Sequence, residues 1–331
     1  MLCGFGFAGS SRVGLFPQLL ATLLLLSQPN VAPGLLLGAS VLPHGDFAWL
    51  PSLLAAGSVN RTVAERVHAG ARAAAAQLRA AAPDVVLVVA PHGAALDAAF
   101  AVYANSGAAG TALLGGDLHN ASQPLVAVPL AAAGAPALAA ALTAALAPKH
   151  NVTGLSFWGD SEPAPLRWSE IVPLAFLGDF VNASHGAGVL VWTQPAKRLV
   201  CASCMVPELL ATGGALAAAL AAAPQRVWLI VSADLAHTHP AAVNPYAANA
   251  TAATAFDAAA SAWAAALDAR ALLVTAASLA DTALSCGFTG MVLAHAALAA
   301  APGGLAAWRA QLFATGAPTY YGMLAAGFAQ R

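Results

Sequence analysis

Three stretches of this chain set a histidine where chemistry can use it. Pro43-His44-Gly45 and Pro91-His92-Gly93 repeat one tripeptide, and Ser232-Ala233-Asp234-Leu235-Ala236-His237 is a third polar cluster. Each closes an apolar run of strand length, at residues 34–42, 84–90 and 227–231. A single Pro-His-Gly reads as a turn, because Pro fixes φ and Gly permits a sharp reversal. Two copies at the ends of consecutive strand candidates, with one helix candidate between, read as a βαβ unit. Such a unit presents a histidine at equivalent ends of two parallel strands. Neighbouring strands lie about 5 Å apart, or about 10 Å with one strand between. Either spacing lets two imidazoles converge on one ion. In α/β proteins ligands bind in the crevice beyond the carboxyl ends of the strands. A histidine there exchanges a proton near neutral pH.

The elements that position these residues follow from pattern. Residues 59–82 read as a helix with Asn60 as N-cap, closed before Pro83. Residues 98–103 and 124–128 are short strand candidates around a Gly- and Asn-rich loop at 105–122. Residues 135–147 read as a helix. Pro173 argues against a central strand at 168–177, which reads as a loop entering a short helix. Residues 188–192 read as a strand, and 207–223 as the helix that feeds the strand at 227–231. Residues 246–266 and 271–279 are helical, with Asp257 on the first. Residues 281–300 read as a helix start followed by a long apolar helix, and 319–328 as a closing strand. No repeat or linker divides the chain. The expectation is one α/β domain over residues 31–331. It has a central, mostly parallel or mixed sheet flanked by helices, and a metal site at the carboxyl ends of the strands.

Composition narrows the partners. The 331 residues are 60% hydrophobic and 8% charged, with much of the apolar share in alanine, which favours helix without adding much core volume. The thirteen Lys and Arg are scattered and the net charge is −1, so no basic patch invites nucleic acid. No interior run reaches the eighteen apolar residues of a membrane span. A homo-oligomer is compatible with the sequence.

The amino terminus reads as a signal peptide over residues 1–30: Arg12 supplies the positive region, residues 19–26 the apolar region, and Ser27 to Asn30 the break. Five of the eight asparagines begin N-x-S/T: Asn60, Asn120, Asn151, Asn182 and Asn249. Ser and Thr are roughly a tenth of the chain, so chance gives about one such sequon. The excess suits a glycosylated chain in the secretory pathway or outside the cell, with each sequon at the surface. Cys201 and Cys204 form a lone CxxC, which reads as a disulfide or two ordinary thiols. Cys286 stands alone, either as a small buried apolar residue or as a ligand.

Taken in order, these motifs resemble one family. PHGD at Pro43, APHG at Ala90, VPLAFL at Val172 and SADLAH at Ser232 come first. A segment from Pro245 to Asp257, SCG at Ser285 and YYGMLAAGF at Tyr320 complete the set. The set is similar to the catalytic chains of the class III extradiol ring-cleavage dioxygenases, with Memo-like proteins sharing the fold. It spans nearly all of residues 34–331. The resemblance implies a non-haem Fe(II) site that takes a small aromatic diol and O₂. By motif, His44 and His92 are metal ligands, and the family's glutamate falls on Cys286, a departure that Memo-like members share. A thiolate also suits zinc or copper. The resemblance makes His237 the acid/base beside the metal; an unperturbed pKa near 6.5 suits that task. It leaves Asp234 to orient the region. Relatives often carry a histidine where this chain has Trp168, and Glu170 is the nearby group that compensates for it if any does. Two readings stand: an Fe(II)-dependent extradiol dioxygenase, and a Memo-like metal-binding protein with a His-His-Cys site and no ring cleavage.

The secretory reading is checked on protein from its source cell. Glycosidase treatment is expected to increase its gel mobility, and its amino terminus is expected beyond residue 27. An unshifted chain that retains residues 1–27 rules the reading out.

Overall fold

The computed structural model describes residues 35–115, 125–182 and 186–331. The targeting segment and the sequon at Asn120 lie outside these residues. Residues from Pro33 to Arg331 make one compact unit.

An eight-stranded mixed sheet runs through it in the order β10-β11-β1-β9-β2-β8-β3-β6. Its centre is parallel: β1 (Leu35–Leu42), β9 (Arg226–Ser232), β2 (Val85–Ala90) and β8 (Gly188–Thr193). Both faces of these strands are buried, which is why they read as unbroken apolar runs and not as alternating ones. In β2, Val85, Leu87 and Val89 enter one core, and Val86, Val88 and Ala90 enter the other. Antiparallel strands β11 (Met323–Gln330) and β10 (Trp308–Gly316) extend one side. On the other side β3 (Phe100–Tyr103) pairs antiparallel with β8, and β6 (Val152–Leu155) pairs parallel with β3. A smaller sheet of β5 (Val126–Ala133), β4 (Gly107–Leu114) and β7 (Ala164–Pro165) stands apart.

Register brings the site together. Leu42 of β1 is level with Ser232 of β9, and Val89 of β2 with Val231. The two Pro-His-Gly turns therefore leave the sheet at one height, with one strand between them. That is the wider of the two spacings open to them.

Helices cover the faces. α1 is the single turn Asp46–Trp49, α2 is Val59–Ala81, α3 is Pro136–Leu146 and α4 is Trp168–Ala175. α5 (Val206–Ala222), α6 (Ala250–Ala266), α7 (Ala277–Ala283) and α8 (Phe288–Ala300) follow. The stretch Ser203–Ala222 is long and apolar enough to cross a membrane by length and composition. Here α5 packs on α8 and buries Leu209, Thr212, Leu216 and Leu220, so its apolarity serves the core.

Several boundaries differ from the sequence reading. Ser58, not Asn60, caps α2: its hydroxyl accepts the Arg61 N–H at 3.1 Å, leaving Asn60 exposed in the first turn. The expected helix from residue 246 begins only at Ala250, with Asn249 as N-cap accepting from Ala252. Residues 107–114, expected as loop, form β4; an Ala- and Gly-rich strand carries no β signal of its own and exists through pairing. Residues 308–316 were assigned no element from the sequence although Trp308, Phe313 and Thr315 favour strand; they form β10. The expected continuous element at 281–300 is broken. α7 ends at Ala283, Leu284 turns left-handed at φ 55°, and α8 starts at Phe288, so Asp281 lies in the last turn of α7 and opens no helix.

Candidate metal centre

The first ligand candidate is set by a relay that begins in α4. Pro173 sits inside this helix and has no N–H to give the carbonyl four residues earlier. That carbonyl belongs to Ser169, and it accepts the Ser232 hydroxyl instead. A hydroxyl has one proton. Having donated it to Ser169, Ser232 Oγ can only accept from His44 Nδ1, which lies 2.9 Å away. The His44 proton therefore sits on Nδ1, and Nε2 faces Asp234 Oδ2 at 3.4 Å and the Cys286 sulfur at 3.5 Å. This is the arrangement by which a second hydrogen bond fixes a ligating imidazole.

His92 stands edge-on to His44, with ring centroids 5.1 Å apart. Its other face stacks on Trp168 at 5.3 Å, and the Arg167 guanidinium covers that indole at 4.8 Å. Cys286 is 7% exposed, and its sulfur lies 3.5 Å from His44 Nε2. Ligand atoms of His44, His92 and Cys286 all fall within 4.8 Å of one another. The expected trio thus converges on one place, across a turn, a second turn and a helix break that are distant in sequence.

Asp234 ties these parts together, as the orienting role requires. Its Oδ1 accepts the N–H groups of His44 and Gly45 at 3.2 and 3.3 Å. Its main-chain carbonyl accepts the Gly287 N–H at 3.1 Å and lies 3.5 Å from the Cys286 sulfur. One residue therefore holds both ligand loops.

Burial keeps the cluster uncharged. It holds the pKa of His44 down to about 3 and that of His92 to about 2, with neighbouring histidines and Arg198 adding to the effect. Burial also pushes Cys286 up to about 12, aided by the nearby Asp234, and Asp234 up to about 6 against its hydrogen bonds. Two neutral imidazoles and one thiol suit a borderline or soft divalent cation, whose charge would release the thiol proton.

Two cavities meet at this cluster. The larger, about 360 Å³, is lined by His44, His92, Trp168, Asp234 and His237, with Phe47, Tyr246, Tyr320 and Tyr321 among its aromatic walls. The smaller, about 210 Å³, shares His92, His237 and Tyr246 and adds Arg198 and Cys286. His237 is not among this trio, and its ring stacks on Tyr321 at 5.9 Å. Its Nδ1 is buried without a hydrogen-bond partner. Its pKa is not left unperturbed. Burial lowers it, outweighing the pull of Asp234 and of backbone groups at Leu284 and Leu235, so the ring is neutral at pH 7.

Glu170 does not stand in for the missing histidine. It is fully buried and lines neither cavity, and its Oε2 accepts the Arg167 N–H at 2.9 Å to cap its own helix. Burial lifts its pKa to about 7. His239 faces away from the cavities and pairs with Asp257 at 2.7 Å. The sequence reading missed Ser232, Arg198, Tyr246 and the Tyr320-Tyr321 pair as site residues. The tyrosines left a signal in the YYG and PY motifs and Ser232 in SADLAH, whereas Arg198 left none. Cys201 and Cys204 form a disulfide, with Cα atoms 5.3 Å apart.

No family model matches the chain, and no curated protein matches it in sequence. Among solved structures it is similar to JW3007, an uncharacterized protein from Escherichia coli K12, at 18% identity and a TM-score of 0.50. The match covers 88% of this chain and 99% of that one. Identity this low speaks to the fold and not to the site.

The relay predicts that Ser232→Ala weakens Zn(II) affinity by about 10–100-fold although all three ligands remain, the usual cost of losing such a partner. Competition with a chromophoric chelator measures it; an unchanged affinity sinks the relay. Glu170 generates a second prediction. Its folded pKa of about 7 exceeds its ordinary 4.5, so between those values the folded state holds more protons than the unfolded one. Stability from this group is present below pH 4.5 and lost as pH rises through 7, at a cost on the order of 3 kcal/mol. Glu170→Gln keeps the carbonyl that accepts from Arg167 and has no proton to lose. Urea unfolding should find the variant more stable than wild type at pH 8 and equal to it near pH 4.5. Parallel pH profiles for the two proteins contradict this.

Proposed function

We propose that this chain is a metal-dependent enzyme of the class III extradiol ring-cleavage type, using Fe(II) and O₂ on a small catechol-like diol. One observation carries the reading. His44, His92 and Cys286 converge at the waist of two cavities, with His237 facing the same space and not joining them. Fe(II), where bound, supplies the redox chemistry between a diol and O₂ that no side chain can perform.

The chain's own residues do the rest. His44 presents Nε2 because Ser232 holds Nδ1. The aromatic walls of the larger cavity suit a flat ring, offering edges and faces at the 4.5–7 Å separations that such rings prefer. Trp168 covers His92 and keeps water from that side. His237, its pKa lowered by burial, accepts a diol proton and returns it after ring opening. Tyr321, stacked on it, fixes the plane of the imidazole.

A second reading has a specific observation behind it. Cys286 replaces a carboxylate and Trp168 replaces a histidine, which favours a Memo-like protein that binds Zn or Cu without ring cleavage. We infer a secretory route for the mature chain in either case. Asn60, Asn151, Asn182 and Asn249 are all exposed, and the Cys201–Cys204 disulfide suits an oxidising compartment.

An anaerobic Fe(II) preparation given catechols and then air separates the readings. A yellow ring-opened product supports the enzyme, and no turnover with any diol supports the binder. With a substrate in hand, His237→Ala should lower turnover roughly 10²–10⁴-fold, the usual worth of a general base, while metal content stays at the wild-type level. His44→Ala should lose the metal. Loss of metal in His237→Ala would make it a ligand, and unchanged turnover would remove it from the chemistry.

A further inference from the structure

The two cavities differ in charge. The larger contains carboxyl groups, Asp46 and Asp234, and no cation. The smaller contains Arg198. This arginine is only 9% exposed, yet among the described residues no carboxylate lies within ion-pair reach of it. One of its five N–H donors is spent: Nη2 donates to the Pro91 carbonyl at 2.6 Å, just ahead of His92. A buried guanidinium without an anion is costly, and its planar fork matches a carboxylate.

The smaller cavity also has one carboxylate, Asp281, whose oxygens turn to main-chain and hydroxyl donors and not to Arg198. Asp281 Oδ1 accepts the Ala202 N–H at 2.6 Å, and Oδ2 accepts the Ser203 hydroxyl. Around the mouth the side chains are apolar and exposed: Leu199 at 73%, Val200 at 88% and Leu284 at 45%. A deep cation behind an apolar lip selects an anion that carries apolar surface.

We propose that Arg198 forms an anion subsite in the smaller cavity, taking the carboxylate of an aromatic organic acid whose ring lies toward His92 and Tyr246. The remaining donors of the guanidinium bind the carboxylate, and the lip covers the ligand's apolar part. Use of this subsite to orient a diol substrate rests on the ring-cleavage reading; the subsite itself does not.

Benzoate and its neutral isostere benzamide test the subsite without any ring-cleavage chemistry. Binding to the Zn(II)-loaded chain is followed by calorimetry. Benzoate should bind at least tenfold tighter than benzamide, and tighter than acetate or inorganic phosphate. Arg198→Met should bring benzoate and benzamide within twofold, with Zn(II) still bound as the sign of an intact site. Arg198→Lys should keep part of the preference. The wild-type chain stripped of metal decides the matter without a variant. Arg198 is the only lasting positive charge lining either cavity among the described residues, so the benzoate preference must survive removal of the ion. A preference that vanishes with the metal, or persists in Arg198→Met, overturns the proposal. Phosphate binding as tightly as benzoate overturns the organic-acid class. If benzoate is preferred but no diol is ever cleaved, the subsite stands and the dioxygenase reading falls.

Discussion

A proline's missing N–H sets the orientation of His44 in the candidate metal centre. Pro173 leaves the Ser169 carbonyl without its helical donor, and a buried carbonyl must find another. Ser232, the last residue of the central strand β9, supplies it. Because a hydroxyl has a single proton, this choice propagates: Ser232 must accept from His44, and His44 must turn its lone pair inward. Helix α4, strand β9 and the turn after β1 are thus locked by two hydrogen bonds in series. All three side chains involved in or beside that relay are buried, so water offers no competing partner.

Asp234 extends the same logic by two residues. Its carboxylate grips the main chain at His44 and Gly45, and its carbonyl grips the turn that carries Cys286. β9 therefore does more than separate the two Pro-His-Gly turns. Ser232 orients one ligand, Asp234 fixes the backbone of two, and His237 faces the space between the cavities. The glycines of the two turns serve close approach. A Cβ on Gly45 would strike the Tyr321 ring, and one on Gly93 would meet Thr193 at 2.5 Å and Glu170 at 2.7 Å.

The electrostatics suit a cation that arrives after folding. Without one, burial holds the histidines and the thiol neutral, so the protein buries no uncompensated charge among its ligands. A divalent ion reverses the balance at Cys286 alone, since the imidazoles are already deprotonated. Affinity should then couple chiefly to one proton. Arg198, on the side of the smaller cavity, would face that new thiolate as well as any ligand.

The sequence alone carried the central parallel strands and the twin Pro-His-Gly ends; the break at Ser285-Cys286-Gly287 it read as the start of a helix. Runs such as Val85–Ala90 are apolar at every position, and that pattern determines a doubly buried strand and where it stops. An element without a local signal, the Ala- and Gly-rich β4, was invisible because its partners create it. Pro173 was legible only as an obstacle to a strand, and Glu170 only as a polar group near the site. The tertiary structure turned the first into the origin of the His44 relay and the second into a helix cap. It also brought Arg198 and three tyrosines to the cavities. The physical reason is range. Side-chain periodicity over a few residues decides what each segment becomes. Which ends meet depends on strand order and register, with β9 inserted between β1 and β2, and those are set by pairings across nearly two hundred residues.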